Sequence, residues 1–302
     1  MRAYLIRRLI EAFITICLLA VMIFLITRLT GDPVALMAAE QAMADRIRLT
    51  ERLGLDQPLS VQFGRYVSDL VRGDLGTSFK FGEPVTEVIL GRIGNSLRMV
   101  IPSFALAIGI SVPLGVLAAR HRGKFMGRLS SFVAVFGIAT PNFWLGLMLI
   151  FIFAGLLGWL PSSRMGDLSH YVLPVVTLAT AFVAGIMRLV RSSMLEELST
   201  EYVKLARTKG TPERLVVWRH ALRNSLLPAV AFIGASFSGF VTGSVSVETV
   251  FAWPGVGRLL YESSVQRDFP VVQGIIIIGG LLIVTVSLVT DIITAWLDPR
   301  IQ

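Results

Sequence analysis

The chain has 302 residues, 54% of them hydrophobic and 16% charged, with a net charge of +8 and a mean hydropathy of +0.72. Soluble domains are about 45–50% apolar and about 25% charged, so the composition excludes an ordinary soluble protein. The positive charge sits in particular connections between apolar runs, which speaks against a nucleic-acid partner.

Crossing a bilayer takes roughly 20 mostly apolar residues, and six runs qualify: 9–29, 97–119, 129–157, 171–190, 225–247 and 271–296. "MRAYLIRR" ahead of the first resembles the basic start of a secretory leader. The run behind it is longer than a leader's usual ~7–15 apolar residues, so it reads as a span. Cys17, the sole cysteine, lies in this span and reads as a packed small apolar residue, with no disulfide or thiolate cluster available.

Residues 31–96 hold seven basic and nine acidic residues and read as an extracytoplasmic insert. Within it, 58–73 is an amphipathic helix: Leu59, Phe63, Val67, Leu70 and Val71 share a face, and Gly73 ends it. It rests on the membrane, caps the outer mouth of a pathway, or packs as a small subdomain. The next connection carries Arg120, Arg122, Lys124 and Arg128 without an acid. In the third span, "ATPNFWLG" places a proline that removes a backbone donor and kinks the helix, with Asn142 a candidate partner for the freed carbonyl. Pro102, Pro113 and Pro174 predict similar breaks elsewhere.

Connections 158–170 and 248–270 are nearly neutral, whereas Arg188 to Arg223 holds eight basic and four acidic residues. A Lys/Arg excess marks the cytoplasmic side. The N-terminus, the 120–128 loop and the 190–224 segment are therefore inside, and six spans return the C-terminus inside. The predicted organisation is all-α. Residues 1–30 form the cytoplasmic N-terminus and first span, and 31–96 the insert. Residues 97–296 form a five-helix membrane core that includes a cytoplasmic segment 191–224, and 297–302 form the tail.

The fifth span is rich in Gly, Ala, Ser and Thr at helical spacing, which lets helix backbones approach closely in lipid. A minority of these residues are candidates for lining a pathway: Ser238, Thr242 and Ser246. Ionisable groups within spans are few. Arg28, Arg188 and Glu248 lie near span ends, where snorkelling accounts for them, and Asp291 reads as an orienting group.

No phosphate-binding loop is present. The four lysines, 80, 124, 204 and 209, lie outside any such context, and no H-E-x-x-H motif occurs. "GASFSG" sets Ser236 and Ser238 among small residues, as around an intramembrane nucleophile. His121, His170 and His220 all fall in or beside predicted loops, so neither serine has an evident base.

The charged interruption "EYVKLARTKG" (201–210) has the marks of a short helix. Thr200 is a candidate cap and Glu201 suits the positive end of the dipole. Lys204, Arg207 and Lys209 suit its negative end, and Gly210 suits the stop. Tyr202, Leu205 and Ala206 share a face. "TPER" then restarts a helix, with Thr211 as cap, Pro212 in first position and Leu215, Trp218 and Leu222 as its apolar stripe. Two helices this short need a surface to pack on: the lipid interface or a cytoplasmic partner.

"EYVKLARTKG" followed by "HALRNSLLP" (220–228) closely resembles the E-x-x-x-x-A-R-x-K-G…H-x-L-x-N-x-x-x-P loop, the EAA motif, of ABC importer permeases. "LGLDQPLSVQF" (53–63), "GDLGTSF" (73–79), "FAWPGVGRLL" (251–260), "RDFPVVQG" (267–274) and "LDPRI" (297–301) extend the resemblance, in order, over nearly the whole chain. The match is to the first permease subunit of the dipeptide/oligopeptide/nickel branch. Tyr202-Val203 stand where the general loop has Ala-Ala, as is usual in this branch, and Thr208 often reads Ala.

The resemblance implies the type I importer permease fold and a multi-pass place in the bacterial inner membrane. It implies a coupling helix in which Glu201, Tyr202, Leu205, Ala206, Arg207, Lys209 and Gly210 meet a separate ATPase. Implied partners are a second, homologous permease forming a heterodimer, two cytoplasmic ATPase subunits that carry ATP and Mg, and an extracytoplasmic solute-binding protein. This chain would hold no cofactor and be no enzyme. The solutes would be peptides or related small molecules, including glutathione and nickel chelates. Two other classes compete: a self-sufficient secondary carrier, disfavoured by the scarcity of intramembrane charge, and an intramembrane hydrolase.

Overall fold

The computed structural model describes residues 2–29, 56–121, 127, 132, 137 and 139–297. Arg122, Lys124 and Arg128, the first part of the insert (31–55), eight residues near the start of the third predicted span and 298–302 of the tail lie outside the described residues. The helices are α1 (Arg2–Leu29), α2 (Leu59–Val71), α3 (Val85–Arg120) and α4 (Asn142–Leu149), the last continuing as a π-helical stretch, Ile150–Leu156. Then come α5 (Ser169–Leu198), α6 (Glu201–Thr208) and α7 (Glu213–Leu215), which runs through a π-helical Val216–Ala221 into α8 (Leu222–Val250). α9 (Val256–Val265) and α10 (Phe269–Leu297) complete the chain. No strand occurs among the described residues beyond an isolated bridge between Thr77 and Pro84.

Among the described residues, five stretches are long and apolar enough to cross a membrane: Ile6–Thr27, Val85–Arg120, Ser169–Leu198, Pro228–Val250 and Phe269–Thr294. Asn142–Leu156 is a shorter apolar helix in the third predicted span, so the described helices fit a six-span, all-α architecture. α3 starts at Val85, ahead of the apolar run predicted from 97. Its first turns carry Glu87, Arg92 and Asn95, which hydropathy scores as loop. Its 36 residues span about 54 Å at 1.5 Å each, well beyond the ~30 Å hydrocarbon core.

The prolines divide into two kinds. Pro102 and Pro113 lie inside a continuous α3, Pro174 inside α5 and Pro228 inside α8, so none of these prolines interrupts its helix. Membrane-spanning helices as a class tolerate an interior proline, and of these four only Pro174 is buried. Pro141 does interrupt: with ψ 138° it stands in extended backbone as the residue before α4, and helix formation starts anew behind it.

The chain forms two compact units. One comprises Asn95–Gly257 with the chain from Thr285 onward. Its core joins Met99, Ala107 and Val116 of α3, Leu178, Ile186 and Met194 of α5, and Ala229, Phe240 and Val247 of α8. Phe240 stacks on Phe182 at 3.6 Å and receives Phe104 edge-on at 5.1 Å. Small residues of α8 serve this packing, as expected. Gly234 faces Thr290, Gly239 faces Phe182 and Gly243 faces Asn142.

Where α8 ends, Ala252 (φ 48°) closes the helix through Trp253 N–H donating to Glu248 O. Trp253 is fully buried, edge-on to Tyr171, and its Nε1 donates to Asn95 O. Asn95 Nδ2 donates back to Pro254 O. Glu248 does not snorkel. It is 0% exposed and accepts from Ser96 Oγ, which itself accepts from Val256 N–H. The last turn of α8 folds under the loop at 251–257 instead of facing the boundary, so its carboxylate is enclosed.

The other unit comprises Arg2–Gly94 and Arg258–Val284. Phe24 of α1 packs against Phe63 and Tyr66 of α2 at 5.2 and 5.7 Å, and Gln273 of α10 donates to Thr27 of α1. The amphipathic helix is present and Gly73 (φ 76°) closes it, but Leu59 and Val71 are exposed and Gln62 is buried, so the inward face is rotated from the predicted one. Buried Asp268 accepts from Ser78 Oγ, Phe79 N–H and Lys80 N–H, pinning the turn that precedes α3. Cys17 is exposed on α1 rather than packed, because the buried face of that helix is Ala20, Ile23 and Phe24.

Candidate coupling site

The site is the helix–turn–helix formed by α6 and α7 between the end of α5 and the start of α8. α6 ends in a doubly bonded turn: Gly210 N–H donates to Arg207 O and Thr211 N–H to Ala206 O. Gly210 takes φ 76°, a conformation that costs any residue with a Cβ, so it occupies the stop position expected of it. The start of α6 differs from expectation. Thr200 has extended backbone, but its hydroxyl donates to Glu197 O and makes no cap bond. Glu201 in the first turn still complements the dipole.

Across the turn, Pro212 rather than Thr211 precedes the helix, which starts at Glu213. The predicted stripe of Leu215, Trp218 and Leu222 is also corrected. Val216, Val217 and Ala221 are buried, whereas Leu215 and Trp218 are exposed. The π-helical turn at Val216–Ala221 adds a residue per turn and rotates the stripe read at the α period.

On α6, the residue buried against the core is Val203, and Ala206 packs partly beside it. Tyr202 (41%) and Leu205 (55%) are exposed, as are Glu201, Arg207, Lys209 and Gly210. Tyr202, Leu205 and Ala206 therefore do not share one environment: two face out and one faces in.

Polar bonds tie α6 to its neighbours. Tyr202 OH donates to Glu197 Oε2 of α5 at 2.5 Å and accepts from Asn224 Nδ2 of α8 at 3.0 Å. Partial burial, with the Glu197 carboxylate next in weight, pushes the Tyr202 phenol above its ordinary range, so it stays a neutral donor. Arg207 donates through Nε and Nη2 to both carboxylate oxygens of Glu213, at 3.1 and 2.9 Å. This fork holds Glu213 below the usual carboxylate range and raises Arg207 further. Lys204 pairs with Glu201 at 2.8 Å. Val203, Glu197, Glu213 and Asn224 were not singled out from sequence. Asn224 stands in the quoted "HALRNSLLP" stretch, and Arg207 and Glu213 flank the glycine turn, which is the signal that was available.

On α8, Ser238 donates to Ala235 O, Thr242 to Ser238 O and Ser246 to Gly243 O. Thr242 is exposed, and the two serines are half-buried. Ser236 likewise bonds its own helix, to Phe232 O. His121 bonds Leu117 O and His170 bonds Asp167, so the described bonds supply no base for Ser236 or Ser238.

The sequence matches the family described as "Binding-protein-dependent transport system inner membrane component" over residues 111–302, and the corresponding N-terminal family over residues 1–100. The chain belongs to this family. It is 40% identical over 301 residues to the glutathione transport system permease protein GsiC of Escherichia coli (strain K12), covering 99% of this chain and 98% of the relative. The same figures hold for the protein of that name from Salmonella paratyphi A. A crystal structure of an amino acid ABC transporter with histidines superposes with a TM-score of 0.50 at 15% identity. It covers 71% of this chain and 94% of that one, and shows a shared permease fold. The chain is thus a multi-pass membrane protein and the permease subunit of an ABC importer, a transport component rather than an enzyme. Such a permease works with an ATPase and a solute-binding protein.

Proposed function

We propose that this permease carries peptide-like small solutes inward across a bacterial inner membrane, and that α6 is its coupling helix. The exposure of Leu205 and Tyr202 on a helix capped at Gly210 supports the second part. An eight-residue helix would fray alone, yet this one is held from behind by Val203 and leaves an apolar patch uncovered. Glu201, Tyr202, Leu205 and Lys209 form the surface offered to an ATPase groove. Ala206 supports that surface from the inner side, and Arg207 and Gly210 fix its angle.

ATP and Mg bind on two partner ATPase subunits. Their closure draws the coupling helices of this chain and of a second, homologous permease together, and the spans switch from inward- to outward-facing. Thr242, with Ser238 and Ser246 beside it, lies on the face of α8 that lines the route. Their hydroxyls spend their protons on helix carbonyls and keep lone pairs to accept from a passing amide or ammonium. The glutathione assignment of the relatives makes γ-glutamyl and ordinary short peptides the first solutes to try.

The test is reconstitution in proteoliposomes with the ATPase subunits, the second permease and the binding protein. ATP-dependent uptake of labelled glutathione or dipeptide, insensitive to ionophore, is the expected result. Uptake by the permease alone, abolished by ionophore, would instead identify a secondary carrier.

A further inference from the structure

The two clamps on α6 differ in what they join. Glu197–Tyr202–Asn224 links the end of α5 to the start of α8 through the coupling helix. Arg207–Glu213 links that helix to the one after the turn. Both oxygens of Glu213 are engaged by one guanidinium, in the fork geometry that arginine forms and lysine does not. Exposed ion pairs add little to stability. Here the two side chains are 39% and 46% exposed, so stability is a weak reason for the pair. Geometry is a better one, because the fork fixes the angle across a turn that the backbone bonds at Gly210 and Thr211 and the packing of Val203 with Val216 and Val217 hold only at its inner side.

We infer that Arg207 is a positioning residue acting through Glu213, rather than a charge offered to the ATPase. On this assignment the Arg207–Glu213 fork and the Tyr202 bridge make α6 and α7 move as one body with α5 and α8. A push on Leu205 and Lys209 then reaches the spans instead of bending the turn. The inference rests on α6 being the coupling helix. Arg207 is exposed but engaged by Glu213; the other exposed charges of 201–210 are Glu201, Lys204 and Lys209, with Glu201 and Lys204 paired to each other.

The test uses the assembled transporter, with both permeases, ATPase subunits and binding protein, carrying Arg207→Glu, Glu213→Arg or both, and separately Arg207→Lys. The readouts are solute imported per ATP hydrolysed and the amount of ATPase subunit retained on purification. Each charge reversal alone should lower the transport-to-hydrolysis ratio about tenfold, within the range that coupling between contacting residues spans. The double reversal should restore most of it, and Arg207→Lys should fall between. A purely structural role would move ATPase retention and leave the ratio of the surviving complexes unchanged. A double variant no better than the worse single one, with the unmodified transporter fully coupled, overturns the inference. An unmodified permease that fails to retain the ATPase would overturn the coupling reading itself.

Discussion

Ser96 Oγ donates to Glu248 Oε1 at 2.7 Å, joining α3 to the last turn of α8 beneath the loop at 251–257. The same Ser96 oxygen accepts from Val256 N–H, so one hydroxyl serves both the carboxylate and the loop. Replacing Glu248 with Ala removes the acceptor and leaves a cavity. An unsatisfied buried polar group costs ~1–3 kcal/mol, and a loss of that size is expected in thermal unfolding of the purified permease. Glu248→Gln keeps an acceptor oxygen toward Ser96 and should lose clearly less. Equal stability of Glu248→Ala and the parent would contradict the enclosed-carboxylate picture.

The loop is moulded on that carboxylate. A Cβ at Gly255 would come within 2.4 Å of Glu248 Oε2, and one at Gly257 within 2.6 Å of Val245 Cα. Overpacking typically costs ~1–3 kcal/mol. Gly257→Ala should be the worse of the two, because its obstacle is backbone and cannot rotate away. Melting temperatures of the two variants measure the order. Combining Gly255→Ala with Glu248→Ala should recover part of the Gly255 loss, since the carboxylate is then gone.

Gly210 poses the opposite case. A Cβ there meets nothing within 4 Å, but φ is 76°, so Gly210→Ala carries only the conformational cost, about 1–2 kcal/mol. Its expected effect on uptake is modest. Gly210→Pro cannot adopt that φ and also loses the N–H that bonds Arg207 O. It should abolish ATP-driven uptake while the protein still reaches the membrane.

Before α5, Asp167 accepts from Ser169 Oγ and N–H and from His170 Nδ1. These bonds, that of the Ser169 hydroxyl first, lower its pKa from 3.8 to about 2. A carboxylate whose folded pKa is depressed stabilises above its unfolded value and ceases to do so as pH falls through the folded one. The stability difference between the parent and Asp167→Asn should therefore be constant from neutral pH to about 4. It should shrink between 3.8 and about 2, as read by thermal unfolding across that range.

How far the sequence carried depended on the kind of signal. Gly73 and Gly210 were legible because a glycine that stops a helix needs only local geometry. The apolar runs were legible because lipid demands length. The stripe at Leu215 and Trp218 was not, because a π-helical turn changes the period and nothing in six residues announces it. Glu248 misled because hydropathy sees a charge near a span end and cannot see the loop that folds over it. Of the coupling residues, the motif supplied positions. It did not tell that Ala206 faces inward with Val203, or that Arg207 is engaged by Glu213.

The central claim is that the outward face of α6 meets an ATPase. Single cysteines at positions 203 and 205, in a permease with Cys17 replaced by Ser, would be crosslinked in the assembled transporter. The expected result is a permease–ATPase adduct from Leu205→Cys, exposed on α6, and none from Val203→Cys, which is buried beneath it. Absence of an adduct at 205 in a transporter that couples ATP to uptake would contradict the claim.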